Sequence, residues 1–198
     1  MSSRCTILPE PQFAERRELL AERLAGVARA VNPGNFASLL DPLMREVIHR
    51  GFDGVQAHEG TIWLLDKNEE NLIPAYNTGP NAAKIVGQFQ QPLNSGLVSM
   101  VLASEQPFVE NEVYKNAHQS KLLDTALDVQ TFALIAVPFY FLRNCQGVVS
   151  CVQLDHPGAP GSRGFTPADL ALVQTHTMIL TRLLEYRVLS STVDWAVD

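Results

Sequence analysis

Residues 132–155, FALIAVPFYFLRNCQGVVSCVQLD, decide the fold. Phe132, Ala133, Leu134, Ile135, Ala136 and Val137 form an unbroken apolar run. Such a run reads as a strand buried on both faces rather than one with a wet side. Pro138 follows it and has no amide hydrogen, so pairing is expected to weaken or bulge there. Residues 143–147, RNCQG, read as a turn, and residues 148–154 as a second strong strand. The loop over residues 155–164 is rich in Gly and Pro and closes the sheet.

Downstream lies the clearest helix. Thr166 is a good N-cap, Pro167 suits the first helical position, and Asp169 carries the charge that end favours. Two apolar stripes run along it: Leu172, Ile179, Leu183 and Tyr186, and then Val173, Thr177, Leu180 and Leu184. A face that wide can cover a sheet and still meet another helix.

Upstream, residues 60–66, GTIWLLD, are rich in β-formers. A polar turn over residues 67–71 leads to a returning strand over residues 72–78, which gives a hairpin. Two helices precede it. Residues 12–31 read as the first, with Phe13, Leu20 and Val27 seven apart and Arg17, Leu24 and Val31 offset by four. This short heptad-like seam either pairs with a second copy or lies on its own domain. The break Asn32-Pro33-Gly34-Asn35 ends it, and Asn35 is expected to cap the next helix, whose apolar face runs from Phe36 to Ile48. His49, Arg50 and Gly51 are expected to close that helix.

The middle, residues 81–130, has mixed patterning. Ser95-Gly96 precedes a short helical pattern, residues 107–110 resemble a short strand, and residues 111–128 are polar and broken. Long irregular insertions in compact domains often carry function. Helices at both ends would cover one face of an antiparallel sheet, which leaves this insertion to cover the other.

Composition narrows the function. The chain has 198 residues, 46% hydrophobic and 18% charged, which is ordinary for a globular protein. Its net charge is −6 with no basic run, which argues against nucleic acid and against a polybasic membrane anchor. No apolar stretch is long enough to span a bilayer, and the N-terminus lacks a signal-peptide core. Cys5, Cys145 and Cys151 do not form a disulfide framework, so a reducing, cytoplasmic setting is expected.

Four segments, in this order, resemble the GAF family. They are TIWLLDKNEENLIPAYNTG, PLNSGLVSMVLASEQPFVENEV, FALIAVPFYFLRNCQGVVSCVQLD and FTPADLALVQTHTMILTRLL. The resemblance covers about residues 36–188. It implies an α+β, three-layer fold of the profilin-like, PAS-related kind: a six-stranded antiparallel sheet with helices on both faces and long terminal helices. On this reading residues 1–34 are a tail and dimerising helix, 35–188 the domain, and 189–198 a C-terminal tail. Family members bind cyclic nucleotides, bilins, haem, metal centres, amino acids or 2-oxo acids, and many only mediate dimers. Fold alone therefore does not fix function.

Matching to the family's contact positions places Thr61, Trp63, Asn77, Leu97, Val98, Thr131, Phe132 and Ser150 around a ligand pocket. Thr61, Asn77, Thr131 and Ser150 are its polar members. The competing reading is that Trp63 and Phe132 fill the space themselves. Leu20, Leu24 and Val27 in the first helix, with Leu180 and Leu184 in the last, are the expected dimer contacts.

No catalytic set stands out. One family branch reduces free methionine sulfoxide with cysteines after the small-Gly turn and in the insertion. Here those positions read Ser95-Gly96-Leu97-Val98 and Lys121-Leu122-Leu123-Asp124. The insertion also lacks a cysteine for a bilin, and Val152-Gln153-Leu154-Asp155-His156 does not complete the cyclic-nucleotide signature. His49, His58, His118, His156 and His176 have no zinc-site spacing. His118, in the insertion, is read as a solvated loop residue, with reach into a pocket as the alternative, and His176 as a surface or interface residue rather than a haem ligand. No metal and no cofactor is assigned. The sequence thus predicts a non-catalytic sensory or regulatory domain in signal transduction. It would bind a small molecule of unassigned identity, form a homodimer, and act on a downstream signalling domain or partner protein. The alternative is a ligand-free dimerisation or interaction module, with a methionine sulfoxide reductase-like enzyme ranked last.

Overall fold

The computed structural model describes residues 14–142, 145–155 and 163–192. Cys5, His156, the first two residues of the expected opening helix, the tip of the turn at residues 143–144 and most of the Gly/Pro loop lie outside these residues.

Helix α1 spans Ala14–Ala30. Asn35 closes its far end instead of capping the next helix. Its Nδ2 donates to Ala30 O at 2.8 Å, and its Oδ1 accepts from Asn32 N at 2.8 Å. The single helix expected from Asn35 is split in two. A 3-10 turn, Phe36–Leu39, comes first, and α2 spans Pro42–Asp53. Pro42 is the cause. It holds Asp41 extended, at φ −76° and ψ 173°, and Asp41 Oδ1 then caps α2 by accepting from Met44 N at 2.9 Å. Gly51 lies inside α2, and the helix ends at Gly54 instead.

Strands β1 (Glu59–Leu65) and β2 (Asn71–Asn77) form the first hairpin. The crossover then carries α3 (Ala82–Ile85), β3 (Gln91–Pro92), α4 (Leu97–Ser104), β4 (Phe108–Glu110), a 3-10 turn (Val113–Lys115) and α5 (Leu122–Leu127). Strands β5 (Gln130–Phe141) and β6 (Cys145–Asp155) form the closing hairpin, and α6 spans Pro167–Thr192. The helix thus runs past residue 188, where a tail was expected. The six strands lie in the order β3-β2-β1-β6-β5-β4, and every neighbouring pair is antiparallel.

Strand alternation sends residues to two separate cores. Behind the sheet, Ile62, Leu64, Ile135, Val137 and Phe139 pack with Met44, Ile48 and Phe52 of α2 and with Val173, Leu180 and Leu184 of α6. In front, Trp63, Leu72, Leu134, Ala136 and Val148 pack with Leu97 and Val101 of α4 and with Val113. The terminal helices therefore lie on one side and the crossover on the other, as the element order predicts.

Pro138 does not break the sheet. It pairs in register with Val148, and the ladder is regular from Ala133 to Phe141. Strand β4 ends opposite Ala136, so β5 has one unpaired edge at Pro138, where a missing donor is tolerated. The irregularity lies instead between Thr131 and Ala133, and Phe132 is the extra residue.

Helix α6 starts as its sequence predicts. Thr166 N donates to Asp169 Oδ2 at 2.8 Å, and Asp169 N donates to Thr166 Oγ1 at 3.2 Å. This reciprocal pair satisfies orphan donors at the helix start. Arg163 adds an ion pair to Asp169 at 2.9 Å and donates to Val55 O, which ties the helix entry to the exit of α2. The Arg163 hydrogen bond holds the Asp169 carboxyl well below its usual range, at about 2.

Only one of the two α6 stripes is fully buried. Leu180 and Leu184, expected at a dimer interface, are core residues at 2% and 0% exposure. Burying each contributes about 1.5–3 kcal/mol, so they are committed to their own domain. Leu24 and Val27 of α1 are half-buried against the same core. The Leu20 side chain lies outside the described part. Ile179 and Tyr186 of the other stripe are exposed, as is Met178 beside them.

Candidate functional site

A cavity of about 80 Å3, partly open to solvent, lies between the front of the sheet and the crossover. At roughly 10–15 Å3 of such space per water molecule, it has room for several waters or a ligand of a few heavy atoms. Its floor comes from Glu59, Thr61 and Trp63 of β1 and Ser150 and Val152 of β6, which alternate along their strands, and from Thr131 and Leu134 of β5, which the bulge at Phe132 brings to the same face. Its roof comes from Leu97 and Val98 of α4 and from Gln119, Leu123, Asp124 and Leu127 in and before α5.

Six of the eight expected pocket residues meet here: Thr61, Trp63, Leu97, Val98, Thr131 and Ser150. Asn77 stands beside the floor, as the cross-strand partner of Thr61, and does not line the cavity. Its Nδ2 donates to Thr61 Oγ1 at 2.9 Å, and its Oδ1 accepts from Gly79 N at 2.7 Å. Phe132 does not face the cavity. As the extra residue of the β5 bulge it turns aside and stacks on Tyr114, with ring centroids 6.4 Å apart. Trp63 does not fill the space either. Its Nε1 donates to Ser150 Oγ at 2.9 Å and its ring meets Phe89 edge-on, so the indole forms part of the wall.

The polar lining is rich in acceptors and contains no Lys, Arg or His among the described residues. Asp124 is held firmly. Its Oδ2 accepts from Gln119 Nε2 and Thr131 N, both at 3.0 Å, and its Oδ1 accepts from Thr131 Oγ1 at 2.7 Å. Gln119 must turn its amide nitrogen to that carboxylate, which leaves Gln119 Oε1 buried with no partner among the described residues. Glu59 is 7% exposed and lies against Gly79, where an added Cβ would meet its Oε2. Burial, with repulsion from Asp124 second, raises the Glu59 carboxyl above its ordinary value.

Sequence reading missed Glu59, Gln119 and Asp124. Glu59 was legible: it is two residues before Thr61 and four before Trp63, so strand alternation puts all three on one face. Gln119 and Asp124 lie in a stretch with no periodicity, and only the fold brings them to the sheet.

Other candidates take structural places. The Cys151 side chain sits in the rear core at 0% exposure, and burial pushes its thiol up to about 12. His118 is exposed in its loop. His176 packs on Gly51, with Nδ1 3.0 Å from Leu172 O. Among the described residues, no three His, Cys, Asp or Glu side chains are grouped to hold a metal, and no helix is long and apolar enough to cross a membrane.

No family model and no curated protein sequence matches the chain. Solved structures do. The GAF domain of a phosphoenolpyruvate-protein phosphotransferase from Coxiella burnetii superposes with a TM-score of 0.60 at 15% identity, covering 91% of this chain and 99% of that one. A GAF domain/HD domain protein from Geobacter sulfurreducens gives 0.57 at 16% identity, covering 77% and 97%. The free methionine-R-sulfoxide reductase of Neisseria meningitidis, solved with its substrate, gives 0.53 at 17% identity, covering 93% and 95%. At such identities the likeness is one of fold, and the chain has a GAF-like fold.

Proposed function

We propose that this GAF-like domain is a non-catalytic sensor, in which a small molecule enters the front cavity and orders the crossover. The observation that carries this reading is the space left between the sheet and α5 although Trp63 is fixed at its wall. A few placed polar groups converge on it within a mostly apolar lining, as expected of a small-molecule site. The ligand would bridge β1 and β6 to α4 and α5. Since β5 leads from α5 into the rear core beneath α6, a shift in α5 has a physical route to the terminal helix. A ligand drives such a shift only by binding one arrangement better than the other.

The non-catalytic part rests on the lining. Cys151 is among the residues around the cavity, but its side chain is buried in the rear core and its thiol is held protonated, so it offers no accessible thiolate to act as a nucleophile. Both oxygens of Asp124 are engaged by Thr131 and Gln119, which leaves Glu59 without a second acid–base group free to work with it. A buried free thiol also fits a reducing, cytoplasmic setting.

Thermal denaturation against a set of small metabolites tests the reading. A ligand at a hundred times its Kd should add about 2.7 kcal/mol of stability, and Val98→Trp, which fills the cavity from its rim, should remove that gain while the protein stays folded. A Val98→Trp protein that binds as well as wild type would count against the site.

A second reading concerns assembly. Met178, Ile179 and Tyr186 are 59%, 38% and 73% exposed on α6. Their exposure favours pairing of this helix with a second copy, which would carry the signal to a partner domain or protein. Sedimentation of Ile179→Glu and Tyr186→Glu variants checks it: a dimer that dissociates supports pairing, and a wild-type monomer excludes it.

A further inference from the structure

We infer that the front cavity takes a small cation, a primary ammonium on a short aliphatic tail, with the Glu59 carboxylate as its counter-ion. This rests on the proposed sensor reading of the cavity and names the chemistry it selects.

The first support is that no described residue supplies Glu59 with a countercharge. Glu59 is more than nine-tenths buried and lines the cavity, and none of the described residues hydrogen-bonds its carboxylate. No described Lys, Arg or His lines the cavity to neutralise it. A buried carboxylate without a partner is costly, so such groups are normally paired. A cation entering the partly open cavity would supply that partner.

The second support is independent. Gln119 also lines the cavity, and its buried Oε1 has no donor among the described residues. Flipping the amide is no remedy, because Oε1 would then face the Asp124 carboxylate that Nε2 now satisfies at 3.0 Å. Two acceptors from opposite walls, the β1 floor and the segment before α5, thus both lack donors among the described residues. An ammonium group is donor-only, with three hydrogens and a positive charge. An anion or a carboxylic acid presented as its anion meets repulsion from Glu59 and Asp124. A divalent metal lacks the ligand set among the described residues.

Size and apolarity set the rest. Leu97, Val98, Leu123, Leu127 and Leu134 surround the remaining space. At about 80 Å3 the cavity suits a tail of a few carbons, not a nucleotide or a tetrapyrrole.

Titration of the intact protein with n-butylammonium chloride, n-butanol and sodium butyrate, followed by amide NMR shifts, tests this. Saturable binding of butylammonium alone is expected, with shifts at Thr61, Thr131 and Ser150. Glu59→Gln should weaken it roughly tenfold or more while leaving the protein folded by its own spectrum. Gln119→Leu, which removes the second acceptor, should weaken it as well. Butanol or butyrate binding as tightly as butylammonium, or undiminished butylammonium binding by Glu59→Gln, would overturn the cation and leave the cavity as the site. Failure of all three probes to shift those amides would overturn the cavity reading together with it.

Discussion

Trp63 Nε1 donates to Ser150 Oγ at 2.9 Å, joining β1 to β6 across the floor of the front cavity. Indole nitrogens that are buried need an acceptor, and Trp63 is 4% exposed. The bond fixes the largest side chain of the lining at the wall, which is why a floor that includes an indole still leaves space above it.

Ser150→Ala should therefore cost about 1–3 kcal/mol, the penalty for stranding a buried donor. In a double-mutant cycle with Trp63→Phe, the coupling should be about 1 kcal/mol. Urea denaturation of the four proteins measures it.

Glu59→Gln should stabilise the ligand-free protein at neutral pH. Its carboxyl is raised from an ordinary 4.5 by burial and by Asp124, the one other carboxylate among the described residues lining the cavity. Below the ordinary value both folded and unfolded chains hold the proton. As pH rises past it the unfolded chain ionises first, so stability falls until the raised value is passed and is then constant. Wild type and Glu59→Gln should thus be similar at ~pH 4, with the variant the more stable above that range. Thermal melts across pH check the sign. Ligand binding should follow the opposite course and strengthen as Glu59 ionises.

Asp169→Asn should show the reverse dependence. Its carboxyl is depressed from 3.8 to about 2, first by Arg163 and then by the helix-start donors of Thr166. That stability is fully present above the ordinary value and is lost as pH falls through the depressed one. With Arg163 39% exposed, screening reduces the loss at pH 7 to about 1 kcal/mol. The gap between variant and wild type should close by about pH 2. Urea midpoints measured at a series of pH values follow it.

Leu184→Ala should cost about 2–5 kcal/mol through a cavity in the rear core. Tyr186→Ala, on the exposed stripe of the same helix, should change the stability of a monomer by less than about 0.5 kcal/mol. Chemical denaturation at low protein concentration separates the two sides of α6.

The elements that carry their own signals were legible. Residues 132–137 announce a buried strand, and Thr166, Pro167 and Asp169 announce a helix start, because each signal is local and the fold does not override it. What failed was decided between segments. Pro42 splits one apolar periodicity into a 3-10 turn and a helix, which a count of apolar spacing does not register. Phe132 sits in an apolar run that hides its bulge. Leu180 and Leu184 could face a core or a partner equally well by periodicity, and only the packing of α6 on the sheet decides it. The strand residues of the site were readable because alternation fixes their face. Gln119 and Asp124 were not, since a short helix in an irregular crossover has no pattern that points at the sheet.

The most direct measurement is amide NMR mapping of the intact protein against small-fragment amines, alcohols and acids. Saturable shifts at Thr61, Thr131, Ser150 and residues 119–129, lost in Val98→Trp, are the predicted result. Fragments that shift none of these amides, or that shift only the rear face around α2 and α6, would contradict a ligand site in front of the sheet.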